Sequence, residues 1–251
     1  MGGLLAVDVG NTQTALGLFE QDELTRNWRL ATEPQRTSDE LGLLLRGLVE
    51  LESVDAICLS STVPVLVRAY EEVAEAAGAR LLVAGPGTRT GIPVRYDPRE
   101  VGPDRIANAV AARERYGAPS VVVDFGTSTN FDVVSAAGEY VGGVLAPGIE
   151  VSMEALFERA ARLVKVDFVA PETAIGTTTE SALRSGLVYG FAGQVDGIVE
   201  RIRAELGDRA APVVGTGGLV DLIAPHAKTI GQVDPFLTLE GLRLIWERNA
   251  A

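Results

Sequence analysis

Residues 4–19, LLAVDVGNTQTALGLF, decide the fold, because residues 120–134, SVVVDFGTSTNFDVV, repeat their pattern. Each stretch is an apolar run that carries an aspartate, Asp8 or Asp124, into a turn of glycine and hydroxyl residues and then resumes as a second apolar run. Apolar runs bounded by such turn residues predict a strand, a tight turn and a returning strand. A third strand is expected after each pair, one with Leu24, Arg26, Trp28 and Leu30 on one face, the other over 139–145. The two aspartates lie 116 residues apart (124 − 8). That is too long for a solenoid period and suits two lobes of similar topology facing each other across a cleft. Gly117 and Pro119 mark the expected boundary, with residues 1–117 in the first lobe and 118–251 in the second.

Outward from these hairpins, helices and strands alternate. Thr37-Ser-Asp-Glu40 reads as a capping box ahead of Leu41, Leu44, Leu45 and Leu48 at helical spacing. Strands are expected over 56–59, 81–84 and 213–215. Helices are expected over 65–77 (closed by Gly78), 103–116, 150–163, 180–206, 217–223 and 239–247. This alternation predicts an α/β protein.

Composition narrows the chemistry. Of 251 residues, 47% are hydrophobic, which supports a full core. No apolar run reaches the roughly 18 residues of a membrane span, and the start lacks a basic leader region, so a soluble, cytoplasmic protein is expected. Cys58 is the single cysteine and His226 the single histidine. An intrachain disulfide and a cysteine zinc site are excluded, and a Ser-His-Asp triad would have to use His226. Both residues read as structural. The net charge is −12, and Lys165 and Lys228 are the only lysines. With no basic cluster, nucleic acid is not an expected partner. Carboxylates, hydroxyls, arginines, backbone amides and bound ions remain.

Those groups concentrate at a few motifs. In residues 8–12, DVGNT, Gly10 lets backbone amides approach an anion, Thr12, Gln13 and Thr14 add donors, and Asp8 can hold Mg²⁺. An ordinary hairpin turn uses the same residue types. Residues 124–129, DFGTST, repeat the chemistry, and two such turns in equivalent places favour a phosphate-gripping role over either alone. Residues 214–218, VGTGG, match no P-loop and no dinucleotide fingerprint, and read as a nucleotide-seating or close-packed turn. Residues 102–105, GPDR, open a helix. Pro103 suits its first turn, and the helix dipole favours an ionised Asp104, either as a proton acceptor or simply as a helix-start residue. Arg105 can grip a carboxylate or phosphate. Residues 142–148, GGVLAPG, line a site or turn the chain. In residues 175–179, IGTTT, the hydroxyls cap the next helix or present Thr179 to a substrate.

Taken together, DVGNT at 8–12, GPDR at 102–105, DFGTSTNFD at 124–132, GGVLAPG at 142–148, IGTTTESALRSG at 175–186 and GTGG at 215–218 closely resemble the type III pantothenate kinases of the acetate and sugar kinase/Hsc70/actin superfamily. The resemblance implies two ribonuclease H-like, actin-like ATPase lobes of mixed sheets flanked by helices. It implies ATP-dependent phosphorylation of the terminal hydroxyl of pantothenate, the first step of coenzyme A synthesis, with Mg²⁺ and a monovalent cation (K⁺ or NH₄⁺) as cofactors and a homodimer as the assembly. By the same resemblance Asp8, Val9, Gly10, Asn11, Thr12, Gln13, Thr14, Ala15 and Thr127 contact ATP. Tyr96, Gly102, Pro103, Asp104, Arg105 and Thr179 contact pantothenate, with Asp104 accepting the proton, and Asp124 binds the monovalent cation. A sugar or amino-sugar kinase of the same superfamily and a non-catalytic ATP-binding regulator are the alternatives. The first would keep both hairpins without the GPDR and IGTTT pairing, and the second has no use for a carboxylate at the head of the Pro103 helix.

Overall fold

The computed structural model describes residues 3–97, 99–159 and 166–250. They form two compact units: the chain passes from the first to the second between Ala111 and Ala112 and returns to the first between Phe236 and Leu237.

In the first unit, β1 (Gly3–Val9), β2 (Gln13–Glu20) and β3 (Glu23–Ala31) form an antiparallel meander. Then come α1 (Ser38–Arg46), β4 (Val54–Ser61), α2 (Pro64–Ala77), β5 (Arg80–Val83) and α3 (Pro103–Tyr116), whose last five residues fall in the second unit. The sheet order is β3-β2-β1-β4-β5, with β4 parallel to both β1 and β5. The capping box forms as read: Thr37 Oγ1 accepts from the Glu40 N–H at 3.3 Å, and the Thr37 N–H donates to Glu40 Oε2 at 2.9 Å. Leu41 and Leu45 of α1 and Leu66, Tyr70 and Val73 of α2 bury against Leu5, Val7, Ile57 and Leu59 of the sheet. Gly78 ends α2 with φ +69°, the left-handed geometry that glycine adopts without a Cβ penalty.

The second unit repeats this plan. It contains β6 (Ser120–Phe125), β7 (Ser128–Val134), β8 (Tyr140–Pro147), α4 (Ile149–Arg159), α5 (Thr179–Leu206), β9 (Val213–Gly217), α6 (Val220–Ile223) and β10 (Gln232–Val233). Its sheet order is β10-β9-β6-β7-β8, the first sheet's order with each strand replaced by its counterpart. Val188, Val195 and Val199 of α5 pack on Val121, Val123 and Phe131. The two-residue β10 has no apolar run to announce it and is absent from the sequence reading. The expected end of the 150s helix, at 163, lies outside the described residues.

The closing helix α7 (Leu237–Asn249) belongs to the first unit. A linear division at 117/118 would assign it to the second. Its buried Leu239, Leu242 and Ile245 cover the first sheet, and the Thr238 hydroxyl donates to the Oδ1 of buried Asn108 on α3 at 2.7 Å. A Cβ on Gly241 would fall 2.5 Å from the carbonyl carbon of Ala107, so only glycine permits this approach.

Candidate active site

In the first unit, β1 and β2 pair as far as Val9 opposite Thr14 and leave residues 10–12 as the turn. The Gly10 N–H donates to the Gln13 carbonyl at 3.0 Å, and the Thr12 carbonyl accepts from the Thr32 N–H at 2.9 Å. The amide of Gly10 therefore closes the turn instead of facing an anion, and exposed Asn11 and Thr12 are what the turn presents. The Thr14 side chain is buried and shares a 2.8 Å hydrogen bond with the Thr32 hydroxyl, so it offers no donor outward. Gln13 Oε1 accepts from Arg29 at 3.4 Å. The Val9 carbonyl accepts from both the N–H and the hydroxyl of Thr62, at 2.9 and 3.1 Å. Ala15 is half-buried on β2, in register with Asp8.

Asp8, half-buried, lies beside Ser60 in the parallel β1–β4 register. The Ser60 hydroxyl is fully buried and has no hydrogen-bond partner among the described residues. Sequence reasoning missed it. The available signal was the run Ser60-Ser61-Thr62 at the end of an apolar strand, a hydroxyl run like Thr127-Ser128-Thr129.

The loop after β5 carries half-buried Tyr96 and an Asp97–Arg99 ion pair at 2.8 Å, then reaches Gly102 and the head of α3. Arg105 is 6% exposed and is buried beside Asp104. Asp104 folds its carboxylate back over Gly102, and Asp104 Oδ1 is buried with no hydrogen-bond partner among the described residues. Burial pushes this carboxyl above its ordinary 3.8, against the downward pull of the Arg105 and Asp104 backbone N–H groups and the Arg105 charge. The expected dipole-stabilised, low-pKa carboxylate is thus corrected. The helix-start N–H groups do pull downward, but desolvation outweighs them. An apolar cavity of about 230 Å³, walled by Ala84, Ile92, Val94, Pro103, Ile106 and Ile245, lies along another face of α3. Pro103 and Ile106, three apart, share its wall, while Asp104 projects from a different side of the same turn.

In the second unit, β6 and β7 pair as far as Phe125 opposite Thr129, around Gly126 and Thr127. The Gly126 N–H donates to the Ser128 carbonyl at 3.1 Å, as Gly10 does in the first turn, and Thr127 stands exposed. Strand β9 sets buried Thr216 beside Asp124. The strand runs on to Gly217, whose φ is +94° and where a Cβ would lie 2.5 Å from Asp124 Oδ1 and 2.6 Å from the Phe125 nitrogen. At the end of β8, a Cβ on Gly148 would lie 2.6 Å from the Thr127 carbonyl carbon. Gly148 and Gly217 thus serve close packing against the Asp124–Thr127 turn. At the head of α5, Thr178 is the cap: its Oγ1 accepts from the Ser181 N–H at 3.1 Å, and Ser181 Oγ accepts from the Thr178 N–H at 3.0 Å. Thr179 follows, exposed on the first turn.

No group of three or more His, Cys, Asp or Glu side chains placed to hold a metal occurs among the described residues. That donor set still fits Mg²⁺, which keeps waters and takes substrate phosphates beside one or two carboxylates. Asp8, near the end of β1, is the carboxylate that could hold it. Burial pushes the Cys58 thiol up to about 12, so it stays protonated and inert. His226 packs edge-on to Tyr189, the ring centroids 5.3 Å apart. No helix among the described residues is long and apolar enough to cross a membrane.

Two sheets of one topology, each with an aspartate next to last in its first strand and a tight hairpin turn after it, define an α/β protein of the actin-like ATPase fold. Solved structures share it over almost the whole chain. A Campylobacter jejuni protein described as a putative Baf family transcriptional activator matches with TM-score 0.64 at 19% identity, covering 98% of each chain. The ADPNP-bound activator of 2-hydroxyisocaproyl-CoA dehydratase from Clostridium difficile matches with TM-score 0.58 at 12% identity, covering 99% of this chain and 96% of that one. At such identities the likeness shows the fold alone. The type III pantothenate kinase family model matches residues 4–201. Type III pantothenate kinases of Acidothermus cellulolyticus and Frankia casuarinae are 53% and 51% identical, each over 98% of this chain and 98% and 99% of their own. The chain belongs to the type III pantothenate kinase family.

Proposed function

We propose that this chain transfers the γ-phosphoryl group of ATP to the terminal hydroxyl of pantothenate, giving 4′-phosphopantothenate, the first step of coenzyme A biosynthesis. The observation that carries this reading is identity of about half with type III pantothenate kinases along the full chain. The local geometry supports a division of labour. Asn11 and Thr12 in the first turn and Thr127 in the second bind ATP phosphates, with the flanking residues 8–15 shaping the first turn. Tyr96, Gly102, Pro103, Arg105 and Thr179 bind pantothenate. Asp104 orients the hydroxyl and accepts its proton as transfer proceeds, the role an aspartate plays in other kinases. Its buried, unpartnered Oδ1 fits a group awaiting a donor. Asp8 would hold Mg²⁺ and Asp124 a monovalent cation, which together offset charge developing on the phosphoryl oxygens.

Homodimer formation is part of the proposal. Val141 and Leu145 on β8, at the edge of its sheet, and Val151 and Leu156 on α4 are exposed apolar side chains of the second unit that a second copy would cover.

One assay tests the reading: ATP with Mg²⁺ and K⁺ against pantothenate, hexoses, N-acetylhexosamines and water. Phosphorylation of pantothenate alone is expected, and a faster sugar would replace the proposal with a sugar kinase. Asp124→Ala is expected to abolish activation by K⁺ while leaving the fold intact by circular dichroism. A variant still activated by K⁺ removes the cation assignment.

A further inference from the structure

Beside its proposed place in the pantothenate site, the surroundings of Gly102 point to a second task. A Cβ built on Gly102 overlaps Asp104 Oδ1, and the next nearest atoms are Asp104 Cγ at 3.4 Å and Arg105 Cγ at 3.8 Å. No backbone atom crowds the position, and Gly102 is not one of the positive-φ glycines, so the conformation itself is open to an L-residue. The neighbour that a side chain at 102 must displace is therefore the Asp104 carboxylate. The backbone that carries it is fixed at the head of α3: Pro103 sets the first helical position, and the Gly102 carbonyl accepts from the Ile106 N–H at 3.4 Å, while the N–H groups of Asp104 and Arg105 draw the carboxylate against the first turn.

We infer that Gly102 is a positioning residue: its missing side chain is the space that the Asp104 carboxylate occupies, and it acts on phosphoryl transfer through Asp104. The inference rests on the proposed role of Asp104 as proton acceptor. Displacing a reacting group by about 1 Å costs on the order of 10²-fold in rate. Gly102→Ala is thus expected to lower kcat about 10²-fold with the KM for ATP unchanged.

A general disturbance of the pocket would also lower kcat, so the deciding measurement is a double-mutant cycle on the full-length enzyme. In Asp104→Ala there is no carboxylate left to displace. Adding Gly102→Ala to that background is expected to change kcat by less than about twofold, because residues acting as one unit are non-additive. An equal loss in both backgrounds would overturn the inference, as would a Gly102→Ala enzyme with wild-type kcat. Asp104→Ala retaining wild-type kcat would instead remove the acceptor assignment, and the positioning role with it. Should Gly102→Ala alone fail to fold, the overlap with Asp104 requires that Asp104→Ala restore folding. Failure to do so would count against the inference.

Discussion

Asp104 combines two properties that pull against each other: it starts a helix, where backbone N–H groups favour its charge, and it is buried, which disfavours it. Burial wins, so its folded pKa lies above the ordinary 3.8. Two consequences follow with defined sign. A base must be ionised to act, so kcat/KM falls as pH drops through that raised pKa, and the acidic limb of the free-enzyme profile sits above the range of a surface aspartate. The fold favours the protonated carboxyl, so the stability it contributes is present at low pH and is lost as pH rises from the unfolded to the folded pKa. Asp104→Asn is accordingly expected to lower kcat by about 10²–10⁴ while raising the melting temperature at neutral pH. A variant that loses activity and also melts lower than the parent at pH 7 would contradict the buried-charge account. The residue types of GPDR were legible in the sequence. The protonation balance was not, because it sets burial by the tertiary surroundings against the Arg105 charge and N–H groups, and spacing does not encode which is larger.

At the scale of elements, the head of α5 separates two adjacent threonines that the sequence treats alike. Thr178 is tied to Ser181 in a reciprocal cap, and Thr179 is exposed one step later. Thr178→Ala is expected to cost about 1 kcal/mol of stability, read by chemical denaturation, because it frees the Ser181 N–H. Thr179→Ala is expected to leave stability within about 0.5 kcal/mol, as an exposed position away from any cap. Its effect should fall on the KM for pantothenate. Interchanged phenotypes would mean that the substrate contact belongs to Thr178. Both hairpins were legible for a reason that also explains a miss. Alternating and apolar runs report strands directly, but which amide closes a turn depends on register. Gly10 and Gly126 each donate within their own turns, to Gln13 and Ser128.

The whole molecule uses one topology twice, and its second unit carries the exposed apolar residues of β8 and α4. On the proposed homodimer, Leu145→Glu is expected to shift light scattering at micromolar concentration from a dimer for the parent to a monomer for the variant, since a charge replaces an exposed leucine proposed to be covered. An unchanged dimer would place the interface elsewhere.

The sequence by itself determined the duplicated hairpins, the α/β class, the helix at Pro103 and the family, because these are carried by local patterns of apolar, glycine and hydroxyl residues. Tertiary structure alone decided that α7 belongs to the first unit, that Ser60 stands beside Asp8 and Thr216 beside Asp124, and that glycines at 148 and 217 clear space around the second turn. Strand register and close backbone approach join residues far apart in the chain. An amphipathic helix such as α7 shows which of its faces is apolar, but not which sheet that face will cover.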